Sequence, residues 1–188
     1  MHVSRHHRSD LNCSRGYEWW LMEQARKRNP GIVTFALSWA LPTWVGNDSY
    51  FSAESIAYHV KYLDCVATHP QIGTLDYLGV WNEKPWGNPG WIKQLRAALD
   101  GAGHTDTGLI LGDNLLLPGN LLPDMASDPS FAAAVAGVGL HYPCMQHGKN
   151  ADRPHPNVTT VFRKKLWSTE DSSTAAGWHG ASCWGRVR

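Results

Sequence analysis

The feature that most constrains the fold is a repeated alternation between short apolar runs and helical patterns. The runs IVTFALSW, LDYLGVW, GLILGDN, VGLHYP and TVFRKKLWSTED are bounded by turn residues, as strands covered on both faces are. Helical segments separate them, with Ser52 and Asn88 placed to cap two of these helices. Such alternation predicts parallel βαβ units. No GxGxxG follows a strand, so an α/β barrel or a doubly wound sheet without a dinucleotide site is expected.

Composition excludes several classes of function. The 188 residues carry a formal net charge of +1, which gives no electrostatic basis for binding nucleic acid. No apolar run approaches the ~20 residues of a membrane span, so no transmembrane segment is expected. The N-terminus MHVSRHHRSD lacks the apolar core of a signal peptide. We predict a disordered lead over residues 1–15 and one domain over residues 16–188.

The four cysteines are widely spaced and form no CxxC pair, which predicts neither a zinc ribbon nor a dense disulfide framework. His141, Cys144 and His147 in HYPCMQH form one candidate metal site. Pro143 disfavours the helix that this spacing needs. No metal and no cofactor are therefore predicted.

Polar residues follow each apolar run, where the strand ends. They are Ser38-Trp39, Trp81-Asn82-Glu83, Asp113-Asn114, His141-Tyr142 and Ser168-Thr169-Glu170-Asp171. In a (β/α) barrel these carboxyl ends meet on one face, where active sites lie. We therefore expect Glu83 and Glu170 to converge.

A converging pair of carboxyl groups suits glycoside hydrolysis. In a retaining enzyme one carboxyl protonates the leaving oxygen and the other attacks the anomeric carbon, at ~5–5.5 Å from each other. Asn82, next to Glu83, can bind the sugar 2-hydroxyl, and Trp81 and Trp86 could keep Glu83 protonated. Candidate donors that would keep the nucleophile ionised are His141, Tyr142 and Ser173. A structural role for both glutamates, as caps or loop charges, is the alternative.

The ordered motifs RGYEWWLM, WNE, HYP, KKLWSTEDSS and CWGR resemble the catalytic domain of the galactocerebrosidase (galactosylceramidase) family. The resemblance implies a TIM (β/α)8 barrel and a retaining β-galactosidase that acts on galactosphingolipids. It further implies Glu83 as acid/base, Glu170 as nucleophile, and Trp39 and Asn82 as galactosyl contacts. A lipid-presenting helper protein and a lysosomal or secreted location are also implied. Cys183 matches a cysteine that in the family pairs with one far downstream, and since this sequence lacks that partner, Cys183 is expected to be a free thiol or to pair differently.

The resemblance covers only part of that barrel. A complete barrel takes ~250 residues, with ~200 as the floor. About five βα units are expected here, corresponding to strands three to seven, which gives an incomplete barrel with two open edges. Two alternatives stay open: an inactive truncated or carbohydrate-binding fragment, and a related retaining β-glycosidase with another sugar specificity.

Overall fold

The computed structural model describes residues 11–46, 49–141 and 157–170. Helices and strands alternate as the sequence predicts. The elements are α1 (Glu18–Arg28), β1 (Phe35–Leu37), α2 (Ala53–Ala67), β2 (Tyr77–Gly79), α3 (Pro89–Gly101), β3 (Gly108–Asn114), α4 (Leu121–Ser127), α5 (Pro129–Ala134), β4 (Val135–His141), a π-helical turn (Asn157–Val161) and β5 (Lys165–Glu170).

The two predicted helix caps are confirmed. Ser52 Oγ accepts a hydrogen bond from the Ser55 N–H at 3.1 Å, at the start of α2. Asn88 Oδ1 accepts one from the Trp91 N–H at 3.0 Å, and proline occupies the first position of α3. These side chains satisfy amide groups that have no partner inside their helices, which fixes where each helix begins.

The five strands form one parallel sheet in the order β1-β2-β3-β4-β5. The sheet is strongly curled, because side chains of β2 and β5 meet although two strands separate them. Lys165 Nζ donates to Tyr77 Oη at 2.5 Å, and the Tyr77 and Trp167 rings cross edge to face at 4.5 Å. Parallel strands that pair in sequence order and curl in this way form part of a (β/α) barrel. The predicted incomplete barrel is therefore confirmed.

A hydrophobic core fills the space between the sheet and the outer helices. Leu95 and Leu99 of α3, Phe131 of α5 and Leu109 of β3 are all fully buried there. This packing fixes the outer face of the sheet. The concave inner face is left for the polar residues that end the strands.

Some element boundaries differ from the sequence prediction. The helix expected through PSFAAAVAG ends at Ala134, because the β-branched Val135 is fully buried in β4 and pairs with Leu109. The first strand is only Phe35–Leu37, and Val33 before it is 56% exposed. Helix α4 was not predicted, and Pro123 lies in its first turn, where the missing N–H costs no intrahelical hydrogen bond.

A disulfide joins Cys13, within the predicted lead, to Cys65 of α2. The side chain of Cys65 is fully buried, so the bond attaches the segment before α1 to the core. Cys144 and Cys183 lie outside the described residues, so the expectation for Cys183 stays a prediction. Over the described part of the chain, no helix combines the length and apolar character that a bilayer crossing requires.

Candidate active site

Four ionisable side chains converge at the carboxyl ends of neighbouring strands. Glu83 follows β2, Asp113 lies near the end of β3, and His141 and Glu170 end β4 and β5. Parallel strands point the same way, so their ends lie at one edge of the curled sheet. The predicted convergence of Glu83 and Glu170 is therefore present in the structure.

The backbone at Glu83 is held in an unusual conformation. Its φ of 51° lies in the left-handed region that non-glycine residues rarely adopt. The Glu83 N–H donates to the Asp113 carbonyl oxygen at 2.8 Å, and the Asn82 N–H donates to the Ser38 carbonyl oxygen at 2.9 Å. These bonds tie the segment after β2 to the strands on both sides. The resulting turn directs the Glu83 side chain to His141 on β4.

His141 lies between the two glutamates. Its imidazole is fully buried, and its Nδ1 is 3.2 Å from Glu83 Oε1 and 3.8 Å from Glu170 Oε2. One carboxylate oxygen of each glutamate and a ring nitrogen of His141 all lie within 4.8 Å of one another. The side chain of Glu83 is 40% exposed and that of Glu170 is 23% exposed, so solvent and a ligand can reach both.

Asp113 lies beneath this group. Its side chain is 1% exposed, and its Oδ1 is 4.0 Å from His141 Nε2. Burial raises the pKa of Asp113 to about 6, and the Glu170 charge also raises it, while the Thr169 hydroxyl and His141 oppose the rise. The sequence placed Asp113 at a strand end but gave it no role.

The two predicted sugar contacts lie at the same edge. Asn82 is 9% exposed, and its buried Oδ1 has no hydrogen-bond partner among the described residues. That oxygen can accept a hydrogen bond from a ligand hydroxyl. Trp39 directly follows Ser38, whose backbone carbonyl accepts the hydrogen bond from the backbone N–H of Asn82. The Trp39 side chain is 64% exposed. An exposed indole face can pack against the apolar face of a pyranose.

The tryptophans that flank Glu83 in sequence have other partners. The Trp81 ring stacks on Tyr50 at 3.9 Å, and the buried Trp86 ring stacks on Phe131 at 5.1 Å. The interpretation that they surround the Glu83 carboxyl is not supported, because Trp86 packs into the helix layer and Glu83 is substantially exposed. Of the predicted donors, His141 faces both glutamates, whereas Tyr142 and Ser173 lie outside the described residues.

The spacing of Glu83 and Glu170 can be compared with that of glycosidase carboxyl pairs. Retaining glycosidases hold their two carboxyl groups ~5–5.5 Å apart, and inverting ones hold them ~6.5–9.5 Å apart to admit a water. One oxygen of Glu83 lies within 4.8 Å of one oxygen of Glu170, which is compatible with the shorter separation. Two carboxylates and an imidazole at this distance also meet the spacing of a divalent-cation site. Cys144 and His147 of the considered HYPCMQH site lie outside the described residues.

Comparison with known proteins identifies relatives along nearly the whole chain. The family model for glycosyl hydrolase family 59 matches residues 2–188. The chain is 38% identical to galactocerebrosidase of Danio rerio over 186 residues, and 37% identical to that of Homo sapiens over 185 residues. Each alignment covers 97% of this chain but only 26% and 25% of those proteins. The chain therefore spans about a quarter of the length of these relatives.

A solved structure supports the barrel architecture. The xylanase of glycoside hydrolase family 30 subfamily 8 from Clostridium acetobutylicum aligns with a TM-score of 0.59 at 20% sequence identity. The alignment covers 82% of this chain and 44% of the xylanase. At this identity the likeness concerns the fold alone, and it agrees with a partial (β/α) barrel.

Proposed function

The chain belongs to glycosyl hydrolase family 59, and on that premise we propose that it holds the catalytic pair of a retaining β-galactosidase of the galactosylceramidase type. The observation that supports this most is the convergence of Glu83 and Glu170 within 4.8 Å around His141. That spacing suits direct attack of one carboxylate while the other delivers a proton.

In the proposed first step, Glu170 attacks the anomeric carbon and forms a covalent glycosyl-enzyme. Glu83 gives its proton to the glycosidic oxygen as the bond to the aglycone breaks. His141 Nδ1 shares a hydrogen bond with Glu83 and lies close to Glu170, which holds both carboxyl groups in place. In the second step, Glu83 takes a proton from water, and the hydroxyl attacks the anomeric carbon and releases Glu170.

Asn82 and Trp39 are the proposed galactosyl contacts. The buried Asn82 Oδ1 is available to the sugar 2-hydroxyl, whose hydrogen bond strengthens as positive charge develops on the ring. The exposed Trp39 indole provides a flat apolar surface beside it. These two residues would orient the sugar so that its anomeric carbon faces Glu170.

Galactosphingolipids are the proposed substrate class. Leu115 and Leu116 directly follow β3 and are 46% and 61% exposed, so apolar side chains stand at the same edge as the catalytic pair. Such a surface suits the apolar aglycone of a glycolipid. The galactocerebrosidase relatives support the same class and a lysosomal or secreted location. A lipid-presenting helper protein is proposed from the sequence resemblance alone.

The experiment compares two aryl β-galactosides, one with an activated leaving group and one with a poor leaving group. Glu83→Gln should lower the rate of glycosylation by about 10²–10⁴-fold on the poor leaving group and little on the activated one, because only the former needs a proton. Glu170→Gln should lower the rate of glycosylation on both substrates. Glu54→Gln, on the exposed first turn of α2, is the matched control.

Two results would contradict the proposal. An equal loss on both substrates in Glu83→Gln would remove the acid assignment. A folded wild-type chain that cleaves neither substrate would show that this chain does not complete the site by itself. A parallel set of aryl β-glucosides and β-xylosides separates galactosidase activity from another sugar specificity.

A further inference from the structure

The carboxylate of Asp113 is buried without the hydrogen bonds that buried charges normally make. Its side chain is 1% exposed, and neither of its oxygens forms a hydrogen bond with a described residue. Glycines on both neighbouring strands leave room for it. A Cβ atom on Gly79 would lie 2.8 Å from Asp113 Oδ2, and one on Gly139 would lie 2.6 Å from Oδ1. Because a buried carboxylate costs free energy unless an opposite charge compensates for the lost water, this edge of the sheet favours a cation nearby.

The side of His141 that faces away from Asp113 carries atoms that can hold a cation. Its Nε2 is 4.0 Å from Asp113 Oδ1, whereas its Nδ1 is 3.2 Å from Glu83 Oε1 and 3.8 Å from Glu170 Oε2. Two ligand atoms on a tetrahedral zinc ion are about 3.4 Å apart, since each lies ~2.0–2.2 Å from the metal. Both distances from Nδ1 are close to that value. The two glutamate oxygens are within 4.8 Å of each other, and a rotation of the partly exposed Glu83 side chain would close the difference.

The kinds of ligand atom select one class of cation. An imidazole nitrogen with two carboxylate oxygens suits first-row transition metal ions such as Zn²⁺, whereas Mg²⁺ and Ca²⁺ prefer oxygen ligands alone. The side chains of Glu83 and Glu170 are 40% and 23% exposed, so an ion can reach them from solvent. With Asp113, three carboxylates lie around one imidazole, and their charges attract a divalent cation.

We propose that Glu83, His141 and Glu170 form an inhibitory binding site for a divalent transition metal ion such as Zn²⁺. Asp113 supplies further negative charge behind His141. The inhibition rests on the proposed function, because the ion would occupy the carboxylate oxygens that act on the sugar. The binding of the ion does not depend on turnover. The ion is an inhibitor and not a cofactor, since the proposed hydrolysis uses only two carboxyl groups and water.

The test measures the binding of Zn²⁺ alone to the whole chain by calorimetry at about pH 7.5, where Asp113, with a pKa of about 6, is ionised. We expect one ion per chain at this site. Glu83→Gln and Glu170→Gln should each weaken binding by more than about tenfold, because each removes a ligand. Asp113→Asn should weaken it by about tenfold, because it keeps the three ligands but removes the charge behind them.

Three controls separate this site from other groups that bind zinc. Residues 1–10 carry three histidines, so the titrations are repeated in a variant with all three replaced by alanine. His104→Gln removes an imidazole that contacts a single carboxylate, that of Asp64 at 3.0 Å. Asp106→Asn removes one exposed negative charge. None of these changes should alter the Zn²⁺ affinity of the proposed site.

Two results of the titrations would overturn the proposal. One is the absence of Zn²⁺ binding up to millimolar concentration, and this result needs no variant. The other is an affinity that stays unchanged in Glu83→Gln, in Glu170→Gln or in Asp113→Asn. The two glutamine variants alter partly exposed side chains, so both are expected to fold.

Inhibition is measured by the rate at which an activated 2-deoxy-2-fluoro β-galactoside labels Glu170. Bound Zn²⁺ should slow the labelling in proportion to the occupied fraction of the site, and a chelator should restore the rate. An unchanged labelling rate with the site occupied would overturn the inhibitory role. A chain that binds Zn²⁺ as expected but is not labelled in the absence of metal would contradict the proposed function and leave the metal site intact.

Discussion

Replacing Asp113 by asparagine should stabilise the folded chain at neutral pH. Burial raises the pKa of Asp113 from 3.8 to about 6, so the folded state holds a proton that the unfolded state has already released between these values. The contribution of Asp113 to the free energy of unfolding is therefore fully present below its pKa in the unfolded state. It is lost as the pH rises through its pKa in the folded state. The difference of two units, at 1.36 kcal/mol each, corresponds to about 3 kcal/mol at neutral pH.

The assay is urea unfolding followed by tryptophan fluorescence, since the chain has 10 tryptophans. The free energy of unfolding of Asp113→Asn minus that of the wild type should rise by about 2 kcal/mol from about pH 4 to about pH 7.5, because the unfolded carboxyl is already partly ionised at pH 4. Using this difference cancels the pH dependence of the groups that do not interact with Asp113. The control Asp106→Asn should show no such rise. A pH-independent difference for Asp113→Asn would refute the argument, because Asp113 would then titrate alike in both states.

Two further predictions concern stability away from the site. Burial lowers the pKa of His59 from 6.5 to about 4, so its contribution is present above pH 6.5 and is lost as pH falls towards 4. At about pH 7.5 the free energy of unfolding of His59→Gln should be lower than that of the wild type. This difference, measured by urea unfolding, should shrink by about 3 kcal/mol when the pH is lowered to about 4.5. A difference that stays the same at both pH values would contradict this. The disulfide between Cys13 and Cys65 spans 52 residues, so Cys65→Ala should lose about 4 kcal/mol on the chain-entropy estimate. A reductant should lower the urea concentration at the unfolding midpoint of the wild type but not that of Cys65→Ala. If the oxidised wild type and Cys65→Ala unfold at the same urea concentration, the estimate is contradicted.

The sequence predicted the architecture well, because its strands and helices carry strong local signals. Short apolar runs identified the strands, and Ser52 and Asn88 marked the helix starts by side-chain caps that depend only on nearby residues. The convergence of Glu83 and Glu170 followed from the parallel arrangement of the strands. The caps need no knowledge of the curl of the sheet. The convergence does need it, because two strands separate β2 from β5, and the expectation of a barrel supplied that curl.

Features that depend on three-dimensional contact were not predicted. The burial of Asp113 depends on the register of β3 against β4 and on the space over Gly79 and Gly139, and neither leaves a pattern along the chain. The disulfide joins residues from a predicted lead and a helix, and spacing alone cannot pair them. The proposed surroundings of Glu83 failed for the same reason: Trp86 is adjacent in sequence, but its ring turns into the helix layer.

The central claim is that Glu83 and Glu170 act as a retaining catalytic pair. The most direct measurement is the intact mass of the chain after incubation with an activated 2-deoxy-2-fluoro β-galactoside, which slows hydrolysis of the covalent intermediate. We expect one fluorogalactosyl group per chain, attached to Glu170 and absent in Glu170→Gln. A folded chain that gains no mass, or that gains the group on another residue, would contradict the assignment.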